Sequence, residues 1–333
     1  MELSTELLVK NQVKNHVKNQ VKNLCANIQK LISVDERKLE YIIAAWIAGG
    51  HVILADSHGV GKTSLARAMA QSIKWRDEDL GNVMMEGFSR IQCTVDLLPQ
   101  DILGYNRFLS NSGELVFNKG PIFAHFVLCD EINLLTPKTQ GSFLQVMEEQ
   151  SVTIEGKHYP LIDPFFIIAT MNLKGAHLFP LPVPQLDRFM VRLSLGYPSE
   201  SEERAIVSMH GQSNAWGDFT SVIESRDLIN WKKMVDGVEI HEDVNAYIVS
   251  CVRATRNHPD IEVPASPRAG VRISRLLRSL ALCRGLDYVP LDFVKETFIP
   301  AMAHRIITRD PSIMPEMVLE KILDTIAVES RRF

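Results

Sequence analysis

The 333-residue sequence lacks the features of several protein classes. Its most apolar stretch, Tyr41 to Ala55, is interrupted by glycines and is shorter than the ~20 residues that a membrane-spanning helix needs. No secretory signal is visible between Met1 and Asn23. The five cysteines form no C-x-x-C pair, which disfavours a disulfide framework and a zinc site. These absences predict a cytoplasmic protein without a membrane partner.

The sequence also lacks an excess of charge of one sign. It has 36 basic and 40 acidic residues, with a net charge of −4. Nothing in this balance favours a nucleic acid as a partner. Hydrophobic residues make up 46% of the chain, which is ordinary for a globular protein, and the length suits two domains.

The N-terminus carries a four-residue repeat, VKNQ-VKNH-VKNQ-VKNL, over residues 9–24. Valines at every fourth position predict a helix with a drifting apolar stripe, and we interpret residues 1–32 as an exposed amphipathic extension. A nucleic-acid-binding arm is the less favoured alternative. A second helix is predicted to begin at Ser33, where Ser33 and Glu36 match a capping box, and to end at Gly49-Gly50.

Residues 33–197 have the pattern of an α/β domain. Runs such as Phe126 to Asp130 are almost continuously apolar, which predicts parallel strands covered by helices on both faces. Two hairpins are predicted at 107–119 and 151–161. After Pro198 no strand pattern remains, so 198–333 is predicted to be an all-helical domain. The five predicted strands are 51–55, 88–93, 126–130, 165–170 and 190–195.

The first strand leads into a loop that approximates the phosphate-binding pattern G-x-x-x-x-G-K-[ST]. Glycines let the loop curl so that backbone N–H groups point at phosphate oxygens. Lys62 would bind the β and γ phosphates of ATP, and the Thr63 hydroxyl would bind Mg²⁺. The first glycine of the pattern is replaced by Asp56, whose charge is expected to weaken nucleotide binding. The predicted nucleotide-binding residues are Ser57, His58, Gly59, Val60, Gly61, Lys62, Thr63 and Ser64.

A second apolar strand ends in two acids, Asp130 and Glu131. Asp130 would hold Mg²⁺ at the carboxyl edge of the sheet, and Glu131 would orient and polarise the attacking water. The alternative is a strand that ends in a solvated turn, which the upstream phosphate loop disfavours.

Three more residues are predicted to act in ATP hydrolysis. Asn172 follows the next strand and would position the water or contact the γ-phosphate. Arg188 precedes the last strand and would reach the ATP of a neighbouring subunit; the alternative is a surface ion pair. Arg268 opens a helix after Ser266-Pro267 and would couple the helical domain to the nucleotide; the alternative is a surface arginine.

These motifs together resemble the MoxR family of AAA+ ATPases, over about residues 33–309. The residues that carry the resemblance include Arg90-Ile91-Gln92, Asp96-Leu97-Leu98-Pro99, Gly120-Pro121, Asp130-Glu131-Ile132-Asn133, Leu186-Asp187-Arg188-Phe189 and Ser266-Pro267-Arg268-Ala269. The chain departs from the family pattern at Ser33, Asp56, His58 and in the stretch Met171-Asn172-Leu173.

The resemblance implies an AAA+ core with a parallel five-stranded sheet, β-hairpin inserts and a smaller helical lid. It also implies a homo-oligomeric ring, expected to be a hexamer, that remodels a protein client, with a von Willebrand factor A domain protein as a partner. Two other functions stay open: a nucleotide-gated scaffold with weak turnover, suggested by Asp56, and a nucleic-acid motor. The motor is disfavoured because the hairpins carry no basic cluster with interleaved aromatics.

Overall fold

The computed structural model describes residues 2–56, 59–75, 85–111, 113–172, 178–210 and 216–326. The helices in these ranges are α1 (Glu2–Gln29), α2 (Glu36–Ile47), α3 (Lys62–Gln71), α4 (Pro99–Leu103), α5 (Pro137–Glu149), α6 (Val183–Leu186), α7 (Glu200–His210), α8 (Ser225–Met234), α9 (Glu242–Ala254), α10 (Pro267–Cys283), α11 (Asp292–Met302) and α12 (Pro315–Thr325). The strands are β1 (Val52–Ala55), β2 (Ile73–Lys74), β3 (Glu86–Gln92), β4 (Gly104–Leu109), β5 (Glu114–Lys119), β6 (Ala124–Asp130), β7 (Ser151–Ile154), β8 (Lys157–Pro160), β9 (Phe166–Met171), β10 (Val191–Leu193), β11 (Ile223–Glu224), β12 (Ile261–Val263) and β13 (Ile307–Thr308).

A five-stranded sheet with the order β10-β1-β9-β6-β3 forms the centre of the molecule. All of its neighbouring strands run parallel. The carboxyl ends of β1, β6 and β9 therefore lie side by side at one edge. The predicted parallel five-stranded sheet is confirmed.

Helices cover both faces of this sheet, which explains the continuous apolar runs. Successive side chains of a strand point to opposite faces. On β6, Phe126 and Leu128 join the hydrophobic core that includes α2, α3 and α10, whereas Val127 and Cys129 join a second core with α5. All seven residues of β6 are buried.

The two predicted hairpins are present and contact each other. One pairs β4 with β5, and the other pairs β7 with β8. The Phe117 ring stacks on Tyr159 with centroids 4.2 Å apart, and Asn106 Nδ2 donates to Glu155 Oε2 over 2.7 Å. The two hairpins thus pack against each other.

The second domain is mainly helical, but the prediction that no strand follows Pro198 is wrong. Strands β12 and β13 pair antiparallel, and β11 runs parallel to β2. Helix α11 ends at Met302, and β13 follows it at Ile307–Thr308. These strands have two or three residues each, too few to produce a period-2 signal. The domain boundaries at residues 32 and 197 remain predictions.

The expectation of an exposed N-terminal extension is wrong for the second half of α1. Val17, Val21 and Leu24 are each 1% exposed and belong to the hydrophobic core shared with α3 and α10. Asn27 Nδ2 donates to Ser72 Oγ at the end of α3 over 3.2 Å. The helix is amphipathic as predicted, but its apolar face is covered, a fact that the repeat alone does not reveal.

The predicted start of the second helix also needs correction. Asp35, rather than Ser33, is its N-cap, and its carboxylate accepts from the N–H groups of Arg37 and Lys38 at 2.8 and 3.3 Å. The Ser33 hydroxyl donates to Glu202. Both side chains can cap a helix, and Ser33 instead bonds a residue of α7.

His51 directly precedes β1 and bonds residues of β9 and α5, at the edge of the sheet opposite the carboxyl ends of the strands. Its Nδ1 accepts from Ile167 N–H over 3.1 Å, and its Nε2 lies 3.3 Å from the Met147 carbonyl oxygen. These contacts suit a neutral ring with the proton on Nε2. Burial lowers the pKa of His51 from its ordinary value of 6.5 to about 3.

We expect His51 to make the protein acid-sensitive. Because the folded pKa lies below the unfolded one, the unfolded chain binds the proton more strongly, and stability falls as the pH drops from 6.5 toward 3. At pH 5 this loss is about 2 kcal/mol for one such histidine. The free energy of unfolding, measured with urea, should fall between pH 7.5 and pH 5. In His51→Gln this fall should be smaller than in the wild type by about the same amount. Phe165→Leu, which removes packing against the same ring but no titrating group, should keep the wild-type difference; an unchanged difference in His51→Gln would contradict the assignment.

Candidate nucleotide-binding site

The described part of the loop between β1 and α3 contains two glycines whose conformation suits a phosphate-binding loop. Gly59 and Gly61 have φ of 83° and 87°, a left-handed region that side chains disfavour. Gly61 is the N-cap of α3, so the first N–H groups of this helix face the loop. Ser57 and His58 were predicted to bind nucleotide and lie outside the described residues.

Lys62 lies at the base of this loop and is 8% exposed. Its Nζ donates to the Asp56 carbonyl oxygen over 2.9 Å and to Asn172 Oδ1 over 3.4 Å. Burial lowers the pKa of Lys62, and the negative charges of Asp56, Asp130 and Glu131 oppose that shift. A cation is therefore held near three carboxylates at the carboxyl edge of the sheet.

Asp130 lies at the end of β6, directly beside the phosphate loop. Its Oδ2 accepts from Thr63 Oγ1 over 3.1 Å, and its Oδ1 accepts from Thr170 Oγ1 over 2.8 Å. Arg90 also contacts Oδ2 through its guanidinium at 2.7 Å. Thr63 and Asp130, the two predicted metal ligands, are thus in direct contact.

Glu131 has left-handed backbone angles, with φ of 60° and ψ of 52°. This conformation is uncommon for a residue other than glycine and is found more often at functional sites. Its N–H donates to Thr170 Oγ1 over 2.9 Å, and its Oε1 accepts from Asn172 Nδ2 over 2.6 Å. Glu131 and Asn172, predicted on separate strands, therefore meet at neighbouring strand ends.

These residues line one open cleft of about 360 Å³, within the size range of ligand sites. The hydroxyl of Thr63 and the carboxylate of Asp130 are ligands that suit Mg²⁺, and Lys62 with the start of α3 suits phosphate. The donor chemistry therefore fits magnesium with a nucleoside triphosphate. The described residues of the lining are Gly59, Val60, Gly61, Lys62, Thr63, Ser64, Arg90, Gln92, Asp130, Glu131, Thr170 and Asn172.

Arg90, Gln92 and Thr170 line the cleft but were not predicted as site residues. Gln92 pairs in register with Asp130, so β3 places its last residues beside the acid pair. The sequence contained a signal for Thr170 alone, since it is a polar residue at the end of the apolar strand β9 and such residues are candidates for a site at the carboxyl edge. That β3 neighbours β6 follows only from the sheet order.

Arg188 and Arg268 lie together but away from this cleft. Both guanidinium groups pair with Glu148 near the end of α5, each at 3.2 Å. Neither arginine is among the described residues that line the cleft. The structure thus brings the two arginines to each other and not to Lys62, and their roles in hydrolysis remain predictions.

Asp56 directs its carboxylate toward the end of β10. The carboxylate accepts from the N–H groups of Leu195 and Gly196 at 2.6 and 3.4 Å and from the Ser194 hydroxyl. Hydrogen bonds from residues 194–196 therefore stabilise the negative charge of Asp56, and the sequence did not reveal these contacts. The expected weakening of nucleotide binding remains a prediction.

The residues that the structure describes contain no group of three or more His, Cys, Asp or Glu side chains that could hold a metal ion. None of their helices has both the length and the apolar character needed to cross a membrane.

The strand, glycine loop and helix, with an acid pair at the end of β6, which β9 separates from β1, define a P-loop fold of the AAA+ class. A family model described as "ATPase family associated with various cellular activities" matches residues 51–191, and an AAA lid domain model matches 253–326. A crystal structure of a proposed ATPase from Cytophaga hutchinsonii superimposes with a TM-score of 0.85 and 26% identity, over 98% of this chain and 99% of the other.

Two curated relatives cover most of the chain. YeaC of Bacillus subtilis is 36% identical over 87% of this chain and 89% of its own length. Chaperone MoxR1 of Mycobacterium tuberculosis is 33% identical over 90% of this chain and 80% of its own length. The chain belongs to the MoxR family of AAA+ ATPases.

Proposed function

We propose that this protein hydrolyses ATP with Mg²⁺ and uses the energy, as a ring of identical subunits, to remodel a protein client. The observation that carries the proposal is the convergence of Lys62, Thr63, Asp130, Glu131 and Asn172 in one cleft. Each of these side chains is the type that phosphoryl transfer to water requires.

The contacts of the cleft suggest how these residues would act on ATP. Lys62 would exchange the Asp56 carbonyl and Asn172 for phosphate oxygens. Glu131 would accept a proton from the attacking water, and Asn172, bonded to Glu131 over 2.6 Å, would hold that carboxylate in place. Mg²⁺, bound by Thr63 and Asp130, would neutralise charge on the phosphates.

The position of Arg188 supports a site shared between subunits, because it pairs with Glu148 and does not line the cleft of its own subunit. Arg268 pairs with the same glutamate and is proposed to couple the helical domain to the nucleotide. A site shared between subunits requires a ring, for which a hexamer is the expected size. The name of the Mycobacterium relative, a chaperone, supports a protein client. A von Willebrand factor A domain protein as partner, and a cytoplasmic location, rest on the sequence prediction alone.

Isothermal titration calorimetry with Mg·ATP tests the cleft directly. We expect micromolar or tighter binding by the wild-type protein and loss of measurable binding in Lys62→Ala, because several charge-assisted hydrogen bonds to phosphate depend on this lysine. Lys138→Ala removes an exposed lysine of α5 and should bind as the wild type does. Absence of heat with wild-type protein would overturn the proposal.

A second measurement tests the metal position. Arg90 occupies Asp130 Oδ2, the oxygen that also contacts Thr63, so it should compete with Mg²⁺. The Arg90 side chain is 49% exposed, and such pairs are weak, so Arg90→Ala should lower the Mg²⁺ concentration for half-maximal ATP binding only about 2–5-fold. Arg204→Ala breaks a surface pair with Glu200 and serves as the control. An unchanged or higher Mg²⁺ requirement in Arg90→Ala would place the metal elsewhere.

A further inference from the structure

Asp56 occupies a position where the phosphate-loop pattern has glycine. A glycine there has no side chain and can contact its surroundings only through its backbone. In this chain the position carries a carboxylate that is almost fully buried, with the residue 6% exposed. A buried charge is costly unless it is bonded, so its partners indicate what the residue does.

The partners of the carboxylate are consecutive residues of one segment. Leu195 N–H donates to Oδ2 over 2.6 Å, while Gly196 N–H and the Ser194 hydroxyl donate to Oδ1. Successive backbone N–H groups form a concave site for an anion, and bonds to a charged acceptor are stronger than neutral ones. All three residues of segment 194–196 thus donate a hydrogen bond to the Asp56 carboxylate.

Segment 194–196 connects the sheet to the helical part of the chain. It follows β10 directly and precedes α7. Gly196 has a left-handed φ of 76°, and no atom lies within 4 Å of the position a Cβ would take. The only other side chain bonded to this backbone among the described residues is Lys38, whose Nζ donates to the Leu195 carbonyl oxygen over 3.0 Å.

The backbone of Asp56 contacts the other side of the site. Its carbonyl oxygen accepts from Lys62 Nζ over 2.9 Å, and its N–H donates to the Met171 carbonyl oxygen over 3.2 Å. Met171 precedes Asn172 at the end of β9. One residue therefore contacts the phosphate-binding lysine, the strand that leads to Asn172, and the segment that leads to α7.

We propose that Asp56 is a positioning residue that couples the phosphate loop to segment 194–196, so that nucleotide binding at Lys62 is transmitted to the connection between the sheet and the helical domain. The inference rests on the proposed function, since it requires Lys62 to leave the Asp56 carbonyl for a phosphate.

Hydrogen exchange tests this coupling, because the N–H groups of Leu195 and Gly196 are the donors themselves. Exchange would be followed with and without Mg·ADP in the wild type, Asp56→Asn and Ser194→Ala. Asp236→Asn and Ser142→Ala are the matched controls, since these side chains bond Arg275 and the Lys138 carbonyl oxygen, away from the cleft. Protection of the amides of Thr63 and Ser64 reports nucleotide binding independently.

In the wild type we expect Mg·ADP to protect the loop amides and to change exchange at Leu195 and Gly196 by about fivefold or more. In Asp56→Asn, Leu195 N–H should exchange about tenfold faster, and its response to Mg·ADP should vanish while Thr63 and Ser64 remain protected. Ser194→Ala, which keeps Asp56, should show a partial loss of the response.

Three outcomes would overturn the inference, and they differ. If Mg·ADP protects Thr63 in every variant and segment 194–196 responds equally in the wild type and Asp56→Asn, the coupling is absent and the proposed function stands. If Mg·ADP protects no loop amide in the wild type, the nucleotide site fails and the inference fails with it. Should Asp56→Asn not fold, an undiminished response in Ser194→Ala overturns the inference.

Discussion

Arg188→Ala is expected to lower ATP turnover about 10³–10⁵-fold while leaving ATP binding to isolated subunits unchanged. The reason is geometric: Arg188 pairs with Glu148 and does not line its own subunit's cleft. Its guanidinium would stabilise transition-state charge on a neighbour's γ-phosphate. Steady-state phosphate release gives the turnover, and calorimetry gives the binding.

Mixing experiments separate a shared site from a structural role of Arg188. An inactive Arg188→Ala protein and an inactive Lys62→Ala protein should regain turnover when mixed, because some interfaces then combine an intact loop with an intact arginine. Arg204→Ala, a surface arginine on α7, should lose no activity. Wild-type turnover by Arg188→Ala would remove the shared-site proposal.

Glu131→Gln is expected to lower turnover about 10²–10⁴-fold, the range for loss of a positioned general base. Glutamine keeps the size of the side chain and can still accept from Asn172, so the cleft should retain its shape and bind ATP. It cannot accept the water's proton. Single-turnover hydrolysis compared with binding of Mg·ATP checks both parts of this prediction.

The neighbouring Glu149 provides a control for Glu131, because it accepts from Gln145 on the exposed side of α5. Glu149→Gln should hydrolyse ATP at the wild-type rate. If Glu131→Gln lost binding together with turnover, the carboxylate would hold the nucleotide or its metal rather than the water. If it retained full turnover, another group would be the base.

The central sheet could be predicted because its signal is local. Phe126 to Cys129 is apolar without interruption, and helices on both faces are what such a strand needs. The glycine loop and the acid pair were recognisable for the same reason, since each motif lies within a few consecutive residues. Their convergence follows from the parallel arrangement of β1 and β6, on either side of β9.

Features that depend on the packing of distant segments could not be predicted. The contact of Arg90 with Asp130 requires β3 to neighbour β6, and the shared pairing of Arg188 and Arg268 requires α10 to approach α5. The cap of α2 shows the same limit at short range, because Ser33 and Asp35 are both residue types that cap helices and the sequence does not show that Ser33 bonds Glu202 of α7 instead. Two-residue strands such as β13 leave no periodic trace at all.

The covered face of α1 has a consequence for where the folding unit begins. Val17, Val21, Leu24 and Ile28 lie in the same hydrophobic core as Leu65 of the phosphate-loop helix and Leu277 of α10. The regions that match family models begin only at residue 51. A polypeptide trimmed to those regions would expose to water the aliphatic side chains that the second half of α1 covers. Residues 17–28 therefore pack against the phosphate-loop helix and against the helical domain at once, and we expect their removal to destabilise both.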